Sequence, residues 1–378
     1  MSGRDTLDGV MLTEAKQPSS VMTQPTRQPG TAPMPLYTID PLTDSRWETL
    51  VATHPKASIF HQMGWLRALA ATYGYKPIVV TDASPAEKLD WAIPFCKVES
   101  WITGMRLVSL PFADHCAPLL QEGEQTARFV DWLCAECDLR GWKYVEVRPL
   151  NWTASSESPL VASSSYWLHA LDLTSSLQDI FRRLDKSSLQ RRIRRAEREK
   201  LVYEKGRSED LLNDFYRLLL MTRRRHQLLP QPRAWFSNLA ENFGESMEVR
   251  IARKDQTPVA ALLTLRFRET VVYKYGCSDE RYHHLAGMPL LFWKLIEESK
   301  TEGAESLDFG RTDLGHDSLR RFKDQFGTVS QQITYLRYPA ATSTPMNIAS
   351  LSRLRRVCSL MPDAVLSAAG RLAYRHIG

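Results

Sequence analysis

Hydrophobic and polar positions along the chain change their period several times, and each change marks an element. In HQMGWLRALAATYG (61–74) apolar residues recur at helical spacing and end on a glycine, which predicts a helix. PIVVTD (77–82) and LDWAIPFCKV (89–98) read as strands around a polar turn, and LVSLP (107–111) as another. An amphipathic helix through 124–140 stops at Gly141, and KYVEVRP (143–149) resumes as strand. The second half repeats this order. LLNDFYRLLLMTRRRH (211–226) predicts a helix, MEVRIAR and VAALLTLRF two strands around the turn KDQT, and VVYKYGCS a third. MPLLFWKLIEESKTEG (288–303) is then helical and SLDFGR (306–311) extended.

Gly141 and Gly303 each supply the left-handed stop of a long helix. Five residues later stand Glu146 and Asp308, and soon after them Arg148 and Arg311. The offset of 162 residues between the glycines, and between the acids, is the size of a domain and not of a solenoid repeat. Hairpin, strand, long helix, strand is not the strict alternation of a doubly wound nucleotide fold. It predicts an α/β (α+β) protein of two tandem domains, each a mixed, mostly antiparallel sheet flanked by helices. We place these at 36–175 and 176–338, after a disordered lead-in at 1–35 rich in Gln, Pro, Ser and Thr. Residues 339–378 read as a linker and basic amphipathic helices. Arg353, Arg355, Arg356, Arg371 and Arg375 there fit either a face on an anionic membrane or terminal helices packed on the body.

Charge adds one feature. The net +6 is concentrated: residues 182–200 hold nine Lys/Arg against three acids, and Arg223, Arg224 and Arg225 follow. SSLQRRIRRAEREK has helical spacing and reads as a charged helix bridging the halves. The asymmetry points to an anionic, phosphate-bearing partner: a nucleotide- or lipid-linked glycan, a coenzyme, a tRNA or a lipid surface. With few aromatics near it, the stretch suits electrostatic contact, including with a tRNA acceptor arm, better than sequence-specific RNA recognition. No apolar run approaches the roughly 20 residues of a membrane span. The opening MSGRDTLDGV lacks a signal-peptide apolar region, so a cytoplasmic location is expected, with peripheral membrane contact through the C-terminal segment. The CxxC of Cys134 and Cys137 lies in a helical pattern without a second pair or matching histidines, so we expect packed cysteines and no metal.

An ordered set of segments gives a resemblance. SIFHQMGWLRALAATYGY, SLPFADHCAPLL, SLQRRIRRAER, RRRHQLLPQPRAWF, VAALLTLRF, LLFWKLIEESKTEGAESLDFGRTD and LRRFKDQFG together resemble the FemAB-like branch of the GNAT superfamily, over roughly residues 37–338. The resemblance implies transfer of an activated acyl or aminoacyl group to an amine on a cell-envelope precursor, such as a peptidoglycan or exopolysaccharide intermediate. It implies a donor that is either aminoacyl-tRNA or acyl-CoA. Acetyl-CoA-dependent relatives carry a glycine-rich loop whose N–H groups hold the coenzyme pyrophosphate at a helix N-terminus. Here CSDERYHHLAGMP keeps Gly287 and lacks the second glycine, which favours another donor.

Acyl transfer to an amine must remove a proton from the ammonium, stabilise an oxyanion and release the leaving group. With a pre-activated donor this needs no covalent nucleophile, and no G-x-S-x-G occurs, so direct ternary-complex transfer is expected. The resemblance places Lys323, in RRFKDQFG, near the acceptor phosphate and reacting carbonyl; Phe322 and Phe326 flank it and desolvate it. Asp308 is a candidate proton acceptor and Arg311, at the strand's end, a phosphate or carboxylate clamp. Tyr273 and Tyr275 alternate and so share a face, with Tyr275 the candidate acid for the leaving group and Tyr273 a channel-lining residue. Arg225 and His226 are expected along the donor groove, and His115, in FADHCAP, is the first half's candidate for substrate contact. Gly287, His284, Arg192 and Arg195 are the candidates for donor phosphate. Three readings follow: a FemAB-like transferase, an acyl-CoA N-acyltransferase of a surface-polysaccharide amino sugar, and a non-catalytic membrane-associated module of the same fold.

Overall fold

The computed structural model describes residues 35–120, 123–152, 158–340 and 361–377. The expectations for the lead-in, most of the linker, and Arg353, Arg355 and Arg356 lie outside them. The first half runs β1 (Tyr37–Ile39), α1 (Ser45–Thr53), α2 (Met63–Tyr73), β2 (Lys76–Thr81), β3 (Ile93–Val98), β4 (Arg106–Val108), α3 (Glu124–Leu139), β5 (Tyr144–Val147) and β6 (Val161–Asp172). After α4 (Leu177–Arg183) and α5 (Leu189–Arg198), the second half runs β7 (Val202–Gly206), α6 (Glu209–Arg225), α7 (Arg233–Phe243), β8 (Met247–Lys254), β9 (Thr257–Phe267), β10 (Thr270–Ser278), α8 (Gly287–Thr301) and β11 (Ser306–Asp313). α9 (Asp317–Asp324), β12 (Val329–Tyr338) and, after the undescribed segment, α10 (Asp363–Ile377) complete it.

The two halves correspond element for element, with α4, α5 and α9 added. The helix stops behave as expected: Gly74, Gly141 and Gly303 have φ of 71°, 60° and 80°. The parallel pair of each half also superposes in register. Arg106–Val108 pairs with Tyr144–Glu146, and Thr270–Val272 with Ser306–Asp308, so Glu146 and Asp308 each close the last shared rung.

All twelve strands form one sheet, ordered β1-β2-β3-β4-β5-β12-β6-β11-β10-β9-β8-β7. β6, the last strand of the first half, pairs with β11, while β12, the last of the second, pairs with β5. Each half thus lends its final strand to the other, and β6 and β12 pair in the middle. The described residues from Leu36 on form one compact unit.

One face of the sheet carries α1, α2, α6 and α7 over a core shared by both halves. α2 and α7 meet about an approximate twofold axis: Trp65 and Trp235, each third in its helix, stack edge to face at 5.1 Å. The close approach requires Gly64, where a Cβ would lie 3.0 Å from the Asn242 carbonyl. The other face is covered by α3 in the first half and by α4, α5 and α8 in the second. α5 does not bridge the halves. Leu189, Ile193 and Ala196 form one apolar stripe that packs it against α8 and its approach loop, leaving its arginines to solvent.

α10 packs on the body. Leu366 is buried, Ser367 bonds Tyr216 at 2.8 Å, and Tyr75 donates to the Tyr374 carbonyl at 2.7 Å. Arg106 and Thr103 cap its end by donating to the His376 carbonyl at 2.6 and 2.9 Å. Arg371 and Arg375 remain exposed. Among the described residues no helix is long and apolar enough to cross a membrane.

Candidate active site

β10 and β11 stop pairing just beyond the Val272–Asp308 rung, and both bulge there. On β10 the partner of Tyr273 is Thr264 and that of Tyr275 is Leu263, so Lys274 is the extra residue. This overturns the expectation that Tyr273 and Tyr275 share a face, because one inserted residue flips the alternation. Tyr273 packs against Phe292 of α8 at 4.8 Å, while Tyr275 lies on the opposite side against Phe236 and accepts the Trp235 indole N–H at 2.9 Å. Burial raises the pKa of both phenols. On β11 the three-residue step from Asp308 to Arg311 opposes a two-residue step on β6, with Gly310 at φ 70°. β11 runs on to Asp313, so Arg311 is inside the strand and not at its end.

A loop of the first half fills the opening between the bulges. Asp114 accepts from the Lys274 Nζ at 2.9 Å and faces the Arg311 Nε at 3.7 Å. A Cβ on Gly310 would stand 3.3 Å from its Oδ2, so glycine is needed for the approach as well as for φ. Tyr335 of β12 donates to the Asp114 carbonyl at 2.7 Å and accepts from Arg311, whose guanidinium stacks over Tyr166 at 4.3 Å. Burial pushes the Asp114 carboxyl up, but Lys274 and Arg311 outweigh it and hold the group below the ordinary range. Burial lowers the Lys274 pKa, with Asp114 opposing. Farther along the loop, Ala117 meets His61 of the segment before α2, where Ser58 donates its backbone N–H to His61 Nδ1 at 3.1 Å. This fixes His61 as the tautomer that donates from Nε2 to the Ala117 carbonyl, at 2.9 Å. Burial holds that ring neutral, with a pKa near 4.

His115 is therefore clamped on both sides. Its Nε2 stands 3.6 Å from Asp308 Oδ2, its ring meets Phe60 edge to face at 5.4 Å, and its Nδ1 is buried without a partner among the described residues. The other Asp308 oxygen accepts the Gly310 N–H at 2.6 Å, which fixes the carboxylate. His115 and Asp308 line a cavity of about 590 Å³ at the junction of the halves, walled also by segments 55–60 and 149–152 and floored by β6, β10, β11 and β12. Glu146, the counterpart of Asp308, is spent on Arg148 at 2.9 Å and Arg337 at 2.7 Å. Duplication has left one carboxylate structural and the other facing a cavity.

Lys323 is 2% exposed and bonds no side chain: its Nζ donates to the carbonyls of Gly310 and Arg311 at 2.9 and 3.0 Å, groups that the bulge releases from the ladder. Burial lowers its pKa to about 8. Phe322 packs on Phe292 and Phe326 at 5.7 and 5.3 Å, within the α8 core.

The other candidates gather elsewhere, around the N-terminus of α8. Arg225 donates to the Ser278 carbonyl at 3.1 Å, and Ser278 Oγ pairs with His283 Nε2 at 2.9 Å. Burial, then the charges of Arg225 and, more weakly, Arg192, lower the His283 pKa. His226 caps α6, its pKa lowered by burial and then by Arg225 and Arg223. His284 is exposed; Arg195 is exposed and lies 4.0 Å from Glu199. Gly287 has a packing reason, since a Cβ there would be 3.0 Å from that of Ala260. Sequence reading passed over Asp114, Lys274 and Tyr335. The lysine in the apolar run VVYKYG was the available signal, because lysine is almost never buried unpaired.

Comparison with known proteins agrees with this fold. The family model described as an acetyltransferase (GNAT) domain matches residues 183–324. The structure is similar to the crystal structure of FemX, with a TM-score of 0.61 at 10% identity over 85% of this chain and 100% of that one. It is also similar to a tandem GNAT protein from the clavulanic acid biosynthesis pathway, with a TM-score of 0.50 at 10% identity over 82% of this chain and 100% of that one. No curated protein sequence matches the chain. The chain thus carries an acetyltransferase (GNAT) domain over residues 183–324. Its double fold is similar to those of FemX and of the tandem GNAT protein.

Proposed function

We propose that this protein transfers an activated acyl or aminoacyl group to an amine of a cell-envelope glycan or peptidoglycan precursor, directly between two bound substrates. The observation that carries the reading is the His115–Asp308 pair, one residue from each half, in the wall of the junction cavity. His115 Nε2 stands 3.6 Å from Asp308 Oδ2, so the imidazole positions that carboxylate at the cavity wall. The substrate amine, its ammonium proton already lost to solvent, attacks the acyl carbon, and the proton its nitrogen then gives up passes to the Asp308 carboxylate and on to the leaving group, with His115 beside it. Lys323 serves as the brace that holds the Gly310–Arg311 bulge and hence Asp308. The basic group of Arg192, Arg225 and His283 near the N-terminus of α8 suits the phosphates of an acyl-CoA or aminoacyl-tRNA donor.

Purified enzyme offered acyl-CoAs or aminoacyl-tRNAs with amine-bearing envelope precursors tests this. His115→Asn and Asp308→Asn each lower kcat on the order of 10²–10⁴-fold, the usual worth of general-base catalysis, while the melting temperature stays within a few degrees. Full transfer by both variants would refute the assignment.

A further inference from the structure

We infer that the junction cavity binds the hydrocarbon of a fatty acyl group, with the acyl carbonyl at the His115–Asp308 wall. This rests on the transferase reading and names the group transferred. The cavity holds about 590 Å³. At the ~30 Å³ that one water-sized group occupies, a chain of about ten to sixteen carbons fits and leaves room for the reacting carbonyl and amine. Its surface is mostly carbon, from Ile59, Phe60, Leu120, Leu150, Leu168 and Val272 among others.

Charge argues the same way. Lys56 is the only cation among the described lining residues, and its Nζ already donates to the Leu120 carbonyl at 3.2 Å. The only carboxylate is that of Asp308. A pyrophosphate would meet one engaged lysine and a like charge here, whereas an aliphatic chain needs neither. Phosphates have their partners instead in the basic group near the N-terminus of α8.

The chemistry balances for an acyl thioester or oxoester. The amine nitrogen attacks the acyl carbon, a C–N bond forms and the C–S or C–O bond breaks. The proton lost by nitrogen passes to the Asp308 carboxylate and then to the departing thiolate or alkoxide.

The test is displacement of a dansyl-labelled fatty acid from the full chain by fatty acids of graded length. Each added methylene tightens binding about fourfold until the cavity is full, at about ten to sixteen carbons, and gains nothing beyond. Thr270→Trp and Ala57→Trp, each filling the cavity from a different wall, move that break to shorter chains, with melting curves confirming that the variants fold. No displacement, no break, or a break that neither folded variant moves overturns the inference. A break without transfer from any donor sinks the transferase reading and leaves the cavity assignment standing. Transfer of short aminoacyl groups without chain binding does the reverse.

Discussion

A lysine as deeply buried as Lys323 keeps its place only because two backbone carbonyls receive its protons. Its pKa falls from the usual 10.5 to about 8, so between these values the unfolded chain binds a proton that the folded chain has released. Stability therefore rises with pH across that window, and below pH 8 the cost of burying the charge stands in full. Measured by urea denaturation, the stability of the native chain should gain roughly 3 kcal/mol on that of Lys323→Met between pH 8 and 10.5. A constant difference would show that the lysine titrates normally. Asp114 differs in kind. Two cations hold it charged, and because it fixes the loop that carries His115, it positions the site without facing the cavity itself.

At the scale of elements, the site is the product of two bulges placed at one level on neighbouring parallel strands. Neither bulge is a defect: one turns Lys274 toward Asp114 and the other admits that carboxylate at Gly310. α10 is attached differently, by a close approach at Gly370, where a Cβ would fall 2.1 Å from the Pro230 carbonyl. Gly370→Val cannot keep that contact, since backbone on both sides leaves no room to yield. Limited trypsin digestion should cut the variant at Arg371 and Arg375 well before the native chain, and the truncated remainder should stay folded. Equal protection of the two proteins would mean that the helix is held by its other bonds alone.

At the scale of the molecule, the exchanged strands make the two halves one cooperative unit. Without β12, β5 loses a neighbour; without β6, β11 does, and the shared core on the α2–α7 face is opened. Residues 36–175 and 176–378 produced separately should each give broad, non-cooperative melting, and the whole chain a single sharp transition. Two independent sharp transitions in the fragments would show that the exchange is dispensable. The same arrangement explains the asymmetry of the duplicate acids. Arg337, on the strand lent by the second half, neutralises Glu146, whereas the corresponding acid meets His115.

The sequence by itself determined the repeat, the helices with their glycine stops and the parallel pair of each half, and it singled out Asp308 and His115 as candidates. These follow from local periodicity and from residues that are chemically out of place in apolar surroundings. The opposite faces of Tyr273 and Tyr275, the pairing of Asp114 with Lys274, and the exchange of β6 and β12 were decided only in the tertiary structure. A bulge changes the alternation without leaving a mark in the apolar pattern, and an extended segment carries no record of its partner. Which buried charge is satisfied, and which is left to act, depends on contacts between residues more than a hundred positions apart.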